Sequence, residues 1–137
     1  MISTKGRYAL RVMIDLAEHE GETYVPLKDV AERQGISKKY LEIIVKELVS
    51  GGLLAGVRGK GGGYRLCRRP EEYNVGEILE LTEGSMAAVA CLDHNADACP
   101  RASICRTLPM WTEYDQLIHD FFHSKKLSEI CHTNSAV

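Results

Sequence analysis

The hydrophobic and polar positions in the first part of the chain follow the period of amphipathic helices. After Ser3, apolar residues recur on one helical face at positions 10, 13, 14 and 17, and the pattern ends at Gly21. The segments LKDVAERQ, which follows Pro26, and KKYLEIIVKELVS, which follows the capping residue Ser37, show the same period and are separated by Gly35. These patterns predict three short helices, the last two joined by the turn QGIS.

A glycine-rich stretch then separates two short apolar segments. LLAGVR and YRLCR flank the sequence GKGGG, which cannot continue a helix and predicts a β-hairpin. The order helix, helix, turn, helix, hairpin is that of a winged helix-turn-helix. We therefore expect a mainly α fold with a small β-hairpin, in which residues 1–84 form a winged helix-turn-helix domain.

The second half of the chain predicts a helix, a loop and a longer helix. In NVGEILELTEG, Asn74 and Glu77 have the spacing of a capping box, and Gly84 ends the helix. Residues 85–106 show no periodic pattern and predict a loop. We expect a long dimerisation helix over residues 107–130, beginning near Pro109, and a disordered tail at residues 131–137.

The predicted long helix carries more apolar surface than an isolated helix can expose. The residues concerned are Trp111, Tyr114, Ile118 and Phe121, joined by Leu117 and Phe122. We interpret them as a coiled-coil seam that forms a homodimer, and packing onto the chain's own winged domain is the alternative. His119 and His123 share this helix at i,i+4 spacing, and we interpret them as surface residues because no third metal ligand is predicted near them.

Charge divides the chain into two halves, although the net charge is only −2. Residues 1–70 contain 13 Lys/Arg and 8 Asp/Glu, a net charge of +5, whereas residues 71–137 contain 4 and 11, a net charge of −7. This asymmetry favours a polyanionic partner for the first half.

No apolar run is long enough to span a membrane, and no secretory leader pattern is present. We therefore expect a cytoplasmic protein without a membrane partner.

The predicted third helix carries polar side chains at the end where a recognition helix meets base edges of double-stranded DNA. These residues are Ser37, Lys38, Lys39, Tyr40 and Glu42, with Lys46 one turn further along the same side. Glu42 is suited to accept a hydrogen bond from a cytosine amino group, and an ion pair with Lys38 or Lys46 is the alternative. For the motif as a whole, a helical pair without DNA-binding function is the alternative.

The predicted hairpin is cationic. Its sequence GVRGKGGGYRLCRR contains five Lys/Arg and no acidic residue. Arg58 and Lys60 are placed to enter a minor groove, and Arg65, Arg68 and Arg69 would hold the flank of the DNA.

The sequence shows no motif of an enzyme. GKGGG is not a Walker loop, because such a loop leads into a helix. No catalytic Ser/His/Asp set is present. We therefore expect neither an enzyme nor a small-molecule substrate.

Three of the five cysteines, Cys91, Cys99 and Cys105, lie on the predicted loop with seven and five residues between them. In a reducing compartment such a cluster favours metal binding or redox chemistry over disulfides, and packed thiols are the alternative. The gaps differ from the spacing of structural zinc sites, which favours an iron–sulfur cluster. Cys105 also lies just before a helix N-terminus, where a thiolate is stabilised.

A fourth ligand for such a cluster is not obvious from the sequence. His94 is the first choice within the loop, with Asp93 and Asp97 as further candidates, and a solvated histidine is the alternative reading of His94. Cys131 and His132 are more distant candidates. We otherwise interpret Cys67 and Cys131 as structural.

Three segments carry a family resemblance that covers nearly the whole chain. STKGRYALRVMIDLA, VPLKDVAERQGISKKYLEIIVKEL and GLLAGVRGKGGGYRL resemble the Rrf2 family of bacterial transcription regulators, which includes the iron–sulfur regulator IscR. The resemblance implies a homodimeric repressor or activator that reads a palindromic operator. In many members three cysteines before the long helix hold an iron–sulfur cluster, and for this chain [2Fe–2S] is favoured over [4Fe–4S].

The chain departs from its relatives at the fourth ligand. In IscR-like sequences a histidine follows the third cysteine by three positions, where this chain has Leu108, and the helix-one carboxylate used by other relatives corresponds to Tyr8. A weakly held fourth site would make the cluster labile, as a sensor of iron, oxygen or nitric oxide requires. The resemblance implies promoter binding that is controlled by such a cluster. A cluster-free regulator of sulfur or cysteine metabolism, responsive to thiols or to a partner protein, is the alternative.

Overall fold

The computed structural model describes residues 1–21 and 23–131, and it is mainly α-helical with one β-hairpin. Of the tail predicted to be disordered, residues 132–137 lie outside the described residues. The elements in chain order are α1 (Thr4–Glu18), α2 (Leu27–Gln34), α3 (Lys38–Ser50), β1 (Leu54–Val57), β2 (Gly63–Leu66), α4 (Val75–Glu83), α5 (Leu108–Ser124) and α6 (Leu127–Ile130). Short 3-10 turns occupy Pro70–Glu72 and Ala90–Leu92.

The helix boundaries follow from local capping, as the sequence predicts. The Ser37 hydroxyl accepts a hydrogen bond from the backbone N–H of Tyr40 at 3.1 Å and starts α3. Gly35 adopts the left-handed conformation with φ of 64°, which turns the chain between α2 and α3. The Asn74 side chain accepts from the N–H of Glu77 at 2.7 Å, so the predicted capping box of α4 is confirmed.

The hairpin pairs in antiparallel register and is anchored at its base by Tyr73. Leu54 lies opposite Leu66, and Val57 lies opposite Gly63. The buried Tyr73 hydroxyl accepts from the backbone N–H of Cys67 at 2.8 Å and donates to the carbonyl of Leu53 at 2.7 Å. Because both strand ends are bonded to one buried side chain, the hairpin is held at a fixed position against the helices.

The core lies between the helices of the first half, but the end of the chain also contributes to it. Leu127 of α6 is fully buried in the same cluster as Met13, Leu41 and Ile78. Burial of a leucine side chain contributes about 2 kcal/mol, which explains why the chain returns to the winged domain here. The prediction of a single helix over residues 107–130 is therefore wrong. The helix α5 ends at Ser124, and α6 follows as a separate helix.

No helix in residues 1–21 and 23–131 is both long and apolar enough to cross a lipid bilayer.

Candidate DNA-binding surface and cysteine loop

The exposed side of α3 and the hairpin line one groove. Glu42 and Lys46 of α3 line it together with Val57, Arg58 and Tyr64 of the hairpin. The N-cap that starts α3 and the Tyr73 anchor of the hairpin fix the two walls. The fold thus brings together two of the segments that the sequence predicts as DNA contacts.

Most of the predicted cations on this surface are not neutralised by the chain itself. Within the described residues, no ion pair involves Lys38, Lys39, Lys46, Arg58 or Lys60. Glu42 likewise forms no ion pair there, so the predicted alternative of a partner at i,i+4 is not seen. These charges are exposed to solvent and available to an external partner.

The three remaining arginines of the hairpin region are engaged within the chain. The guanidinium of Arg65 lies over the ring of Tyr24, 4.6 Å from its centroid, and remains exposed. Arg68 donates to both carboxylate oxygens of Glu77, at 2.8 and 3.1 Å. Arg69 lies 3.6 Å from Glu71 and 3.5 Å from Glu72. Arg68 and Arg69, expected on the flank of the DNA, thus already have intrachain partners.

Tyr40 and Ser37 also have structural roles in addition to the predicted DNA contacts. Ser37 is the N-cap of α3. The half-buried ring of Tyr40 packs edge-to-face on Tyr8, with centroids 5.7 Å apart. Tyr8 is therefore a packing residue that positions the start of α3.

An exposed apolar residue of α3, Ile43, is not among the DNA contacts predicted from the sequence. Ile43 is 54% exposed beside Glu42. An exposed apolar side chain on a recognition helix is suited to contact the methyl group of thymine. The signal was present in the sequence, because residue 43 falls outside the buried helical face formed by residues 41, 44, 45 and 48.

The three loop cysteines lie between α4 and α5. Cys91, in the short turn after α4, and Cys99 are exposed, whereas Cys105 is half-buried. The loop is tied to α5 by the backbone N–H of Ala88, which donates to Asp115 at 2.8 Å. In the described part of the chain, the three sulfur atoms do not form a set lying within 4.8 Å of one another.

Cys105 has the environment of a stabilised thiolate. Its sulfur lies 3.5 Å from the Thr107 hydroxyl. That hydroxyl, followed by the backbone N–H groups of Thr107 and Leu108 and the charge of Arg101, lowers the pKa of the Cys105 thiol. This is the effect expected for a cysteine ahead of a helix N-terminus. Cys131, in contrast, is half-buried, and burial raises the pKa of its thiol.

His94 is a solvated residue in this structure. Its side chain is 73% exposed, with Nδ1 3.9 Å from the carboxylate of Asp93. The structure therefore does not bring His94 together with the cysteines into one closed set of ligands.

The apolar residues of α5 divide into two stripes. Trp111, Ile118 and Phe122 are half-buried, and the last two face α4 across a cavity that Gly76 and Glu80 also line. Tyr114, Leu117 and Phe121 are 50%, 62% and 54% exposed. Packing within the chain, the predicted alternative, thus accounts for the half-buried stripe, whereas the exposed stripe has the surface that the predicted homodimer seam requires.

Comparison with known proteins gives the family. A sequence profile described as "Rrf2: Iron-dependent Transcriptional regulator" matches residues 2–133. The HTH-type transcriptional regulator IscR of Aliivibrio salmonicida (strain LFI1238) is 40% identical over 129 residues, which cover 94% of this chain and 76% of that protein. The chain belongs to the Rrf2 family of transcription regulators. Its relatives are DNA-binding regulators rather than enzymes, as the sequence predicts.

Solved structures of Rrf2-family regulators have the same fold. CymR (YrzC), the global cysteine regulator of B. subtilis, aligns with a TM-score of 0.75 at 32% identity over 95% of both chains. IscR of T. potens aligns with a TM-score of 0.73 at 35% identity over 95% of this chain and 85% of that one. The predicted winged helix-turn-helix fold is confirmed.

Proposed function

We propose that this Rrf2-family regulator acts in the cytoplasm as a homodimer that reads a palindromic operator in double-stranded promoter DNA. An iron–sulfur cluster on the cysteine loop controls this binding. The observation that carries the proposal is the groove between α3 and the hairpin, where Lys46, Glu42 and Arg58 converge without intrachain ion pairs in the described residues.

In this proposal, α3 reads base edges and the hairpin tip holds phosphates. Lys38, Lys39 and Lys60 neutralise phosphates, which provides most of the affinity and little sequence preference. Glu42 accepts a hydrogen bond from cytosine, and Ile43 contacts a thymine methyl, so that these two residues supply sequence preference. Arg58 enters a minor groove beside the recognition helix.

The exposed stripe of α5 supports a homodimer. Tyr114, Leu117 and Phe121 are at least half exposed and border a groove that Ile2 and Met86 also line. Such contiguous apolar surface is typical of a protein interface. A second copy of the chain suits this surface, because a palindrome requires two recognition helices about one turn of DNA apart.

The donor set of the loop fits an iron–sulfur cluster. Thiolates are the ligands such clusters take, and hydrogen bonds from the Thr107 hydroxyl and from neighbouring backbone N–H groups lower the pKa of the Cys105 thiol. Cys91, Cys99 and Cys105 would hold the group, with His94 as the proposed fourth ligand and [2Fe–2S] favoured over [4Fe–4S]. When bound, the cluster supplies a redox-active anionic centre that is lost or altered by oxygen, nitric oxide or iron shortage.

The chain's own contacts connect the loop to the dimer helix. Ala88, at the start of the loop, is hydrogen-bonded to Asp115 of α5. A change in the order of the loop is therefore transmitted to α5, and through α5 to the spacing of the two DNA-binding domains.

A cluster-free regulator is a second candidate. The similarity to CymR, and the separation of the three sulfur atoms in the described residues, favour it. In this case the regulator would respond to thiols or to a partner protein in sulfur or cysteine metabolism.

The test combines cluster analysis with DNA selection. The full chain is reconstituted anaerobically with iron and sulfide, and its visible absorption and its iron and sulfide contents are measured. Random-sequence duplexes are then selected with the reconstituted and the apo protein. We expect a coloured protein that enriches a palindromic sequence, loss of colour in Cys91→Ala, and no loss in the matched control Cys67→Ala, because Cys67 is an exposed thiol outside the loop.

Each result discriminates between the candidates. If neither form of the protein enriches any duplex, the proposal as a whole is wrong. A colourless protein that still selects a palindrome, with an affinity unchanged in Cys91→Ala, would replace cluster control by the second candidate.

A further inference from the structure

Two histidines of α5 and one glutamate of α4 form a compact group outside the cysteine loop. Glu80 Oε1 lies 3.8 Å from His119 Nε2 and 3.3 Å from His123 Nε2. Among residues 1–21 and 23–131, this is the only set of three metal-ligating side chains whose donor atoms all lie within 4.8 Å of one another. The sequence-based interpretation of the two histidines as surface residues assumed that no third ligand was near, and the structure contradicts that assumption.

Both imidazoles are oriented so that Nε2 faces Glu80. His123 Nδ1 lies 2.8 Å from the carbonyl oxygen of His119, to which a protonated Nδ1 donates, so that Nε2 keeps its lone pair. His119 Nδ1 lies 3.4 Å from Asp120 Oδ1 and is oriented in the same way. In metal sites, an oxygen acceptor on the second ring nitrogen fixes the tautomer and the orientation of a histidine ligand.

The spacing of the donor atoms suits a metal ion. Two ligand atoms, each about 2.0–2.1 Å from a tetrahedral zinc ion, lie about 3.3–3.4 Å apart. The distances from Glu80 to His123 and His119, 3.3 and 3.8 Å, are close to this value. The two rings are stacked with centroids 4.0 Å apart and an interplanar angle of 21°, which places both Nε2 atoms on the same side.

The surroundings leave room for the rings and for further ligands. A Cβ atom at Gly76 would collide with the imidazole of His123, so glycine at this position allows the ring to lie against α4. The group borders a cavity of about 160 Å³ that Ser85 and Asp115 also line. Water molecules in this cavity would complete the coordination shell.

We propose that Glu80, His119 and His123 bind a divalent first-row transition-metal ion of the Zn²⁺ class. Two imidazoles and one carboxylate form a donor set suited to such ions rather than to Mg²⁺ or Ca²⁺. The bound ion links α4 of the winged domain to α5. The three ligands lie on α4 and α5, outside the cysteine loop, although Ser85 and His94 of the loop line the adjoining cavity. The proposal does not rest on the function proposed above.

The test removes the competing loop thiolates first. The full chain with Cys91→Ser, Cys99→Ser and Cys105→Ser is titrated with Zn²⁺ against a chromophoric chelator and with Co²⁺ by visible absorption. We expect one tightly bound ion per chain and a Co²⁺ spectrum without thiolate charge-transfer bands. In the same background, His119→Ala and Glu80→Gln should each weaken Zn²⁺ binding by about 100-fold, because each removes a ligand.

Matched variants separate metal binding from general effects. His19→Ala and Glu113→Gln remove the same side-chain types elsewhere and should leave Zn²⁺ affinity unchanged. Gly76→Ala keeps all three ligands but displaces the His123 ring, and it should weaken binding by about tenfold. Circular dichroism checks that each variant is folded. Because the His119 side chain is half exposed, the fold should tolerate its replacement by alanine.

Three results would overturn the proposal. They are the absence of Zn²⁺ binding by the parent chain, an affinity that His119→Ala lowers no more than His19→Ala, and thiolate bands in the Co²⁺ spectrum, which would assign the metal to the remaining cysteines.

Discussion

Asp15 is a fully buried carboxylate whose charge is balanced by neighbouring side chains. Arg33 donates to both of its oxygens, with distances of 2.8 Å from Nη2 to Oδ1 and 3.0 Å from Nε to Oδ2. The amide of Gln34 donates to it at 2.9 Å. These bonds join α1 to the end of α2, and they hold the first helix of the helix-turn-helix pair in place.

The first prediction concerns this pair. Arg33→Ala leaves a buried carboxylate without its cation and should lower the free energy of unfolding by about 3 kcal/mol. Lys28→Ala, an exposed substitution on the same helix, should change it by less than about 0.5 kcal/mol. Urea unfolding measures both. Equal effects of the two substitutions would show that the Asp15–Arg33 pair does not stabilise the fold.

The second prediction concerns Glu77. Burial raises the pKa of this carboxyl, but hydrogen bonds from Arg68 and from the backbone N–H of Asn74 outweigh it, so the pKa lies below its ordinary value. The unfolded chain therefore takes up the proton first as the pH falls. The resulting stability is complete above the unfolded-state pKa of about 4.3 and is lost as the pH falls through the lower, folded-state pKa.

Glu77→Gln keeps a side-chain acceptor for the capping box but removes the charge. It should lower the free energy of unfolding by about 1 kcal/mol at pH 7 and reduce the loss of stability between pH 5 and pH 3. Glu71→Gln, at an exposed position, serves as the control. Urea unfolding as a function of pH is the measurement, and an unchanged pH dependence in Glu77→Gln would contradict the assignment.

At the scale of elements, the apolar residues of α5 form two stripes, one facing α4 and one exposed to solvent. The chain's own α4 covers the stripe with Ile118 and Phe122, while Leu117 and Phe121 remain at least half exposed. Since no residue of α5 is fully buried, packing within the chain does not account for its hydrophobicity.

The third prediction tests the exposed stripe. Leu117→Lys places a charge in the proposed seam and should shift the protein from dimer to monomer, because desolvating an unpaired charge is costly. Gln116→Lys adds the same charge on another side of α5 and should leave the dimer intact. Analytical ultracentrifugation distinguishes the two states, and a dimeric Leu117→Lys would exclude this stripe as the interface.

At the scale of the whole molecule, the charge asymmetry of the sequence becomes a cationic surface. Lys46 of α3 and Arg58 of the hairpin line one groove, while the acidic second half forms α4, the loop and α5. Such a surface attracts DNA phosphates, with a strength that depends on ionic strength.

The fourth prediction uses this salt dependence. Lys60→Ala should reduce the slope of log K against log salt concentration by about 0.9, and Arg58→Ala combined with Lys60→Ala by about twice that amount. Lys126→Ala, in the second half of the chain, should leave the slope unchanged. Fluorescence anisotropy with a selected duplex is the measurement, and equal slopes for Lys60→Ala and Lys126→Ala would remove the hairpin tip from the interface.

Features that depend only on residues close together in the sequence could be predicted from it. Caps such as Ser37 and Asn74 act within one helical turn, so the boundaries of α3 and α4 agree with the structure. The chemistry of the cysteines is also local, since the Cys105 thiolate is stabilised by the next residues of the chain. Most of the candidate DNA contacts and the candidate loop ligands could therefore be named from the sequence, whereas Ile43 was recognised only from its exposure in the structure.

The sequence by itself determined α1 to α4, the hairpin, the positive charge of the first half and the loop with three thiols, because capping, periodicity and charge are properties of short segments. Only the tertiary structure decided which side chains meet across the chain. Leu127 returns to the core, Glu77 neutralises Arg68, and Glu80 completes a group with His119 and His123. These contacts join residues far apart in the sequence, and their existence depends on how α4, α5 and α6 pack, which no local pattern specifies.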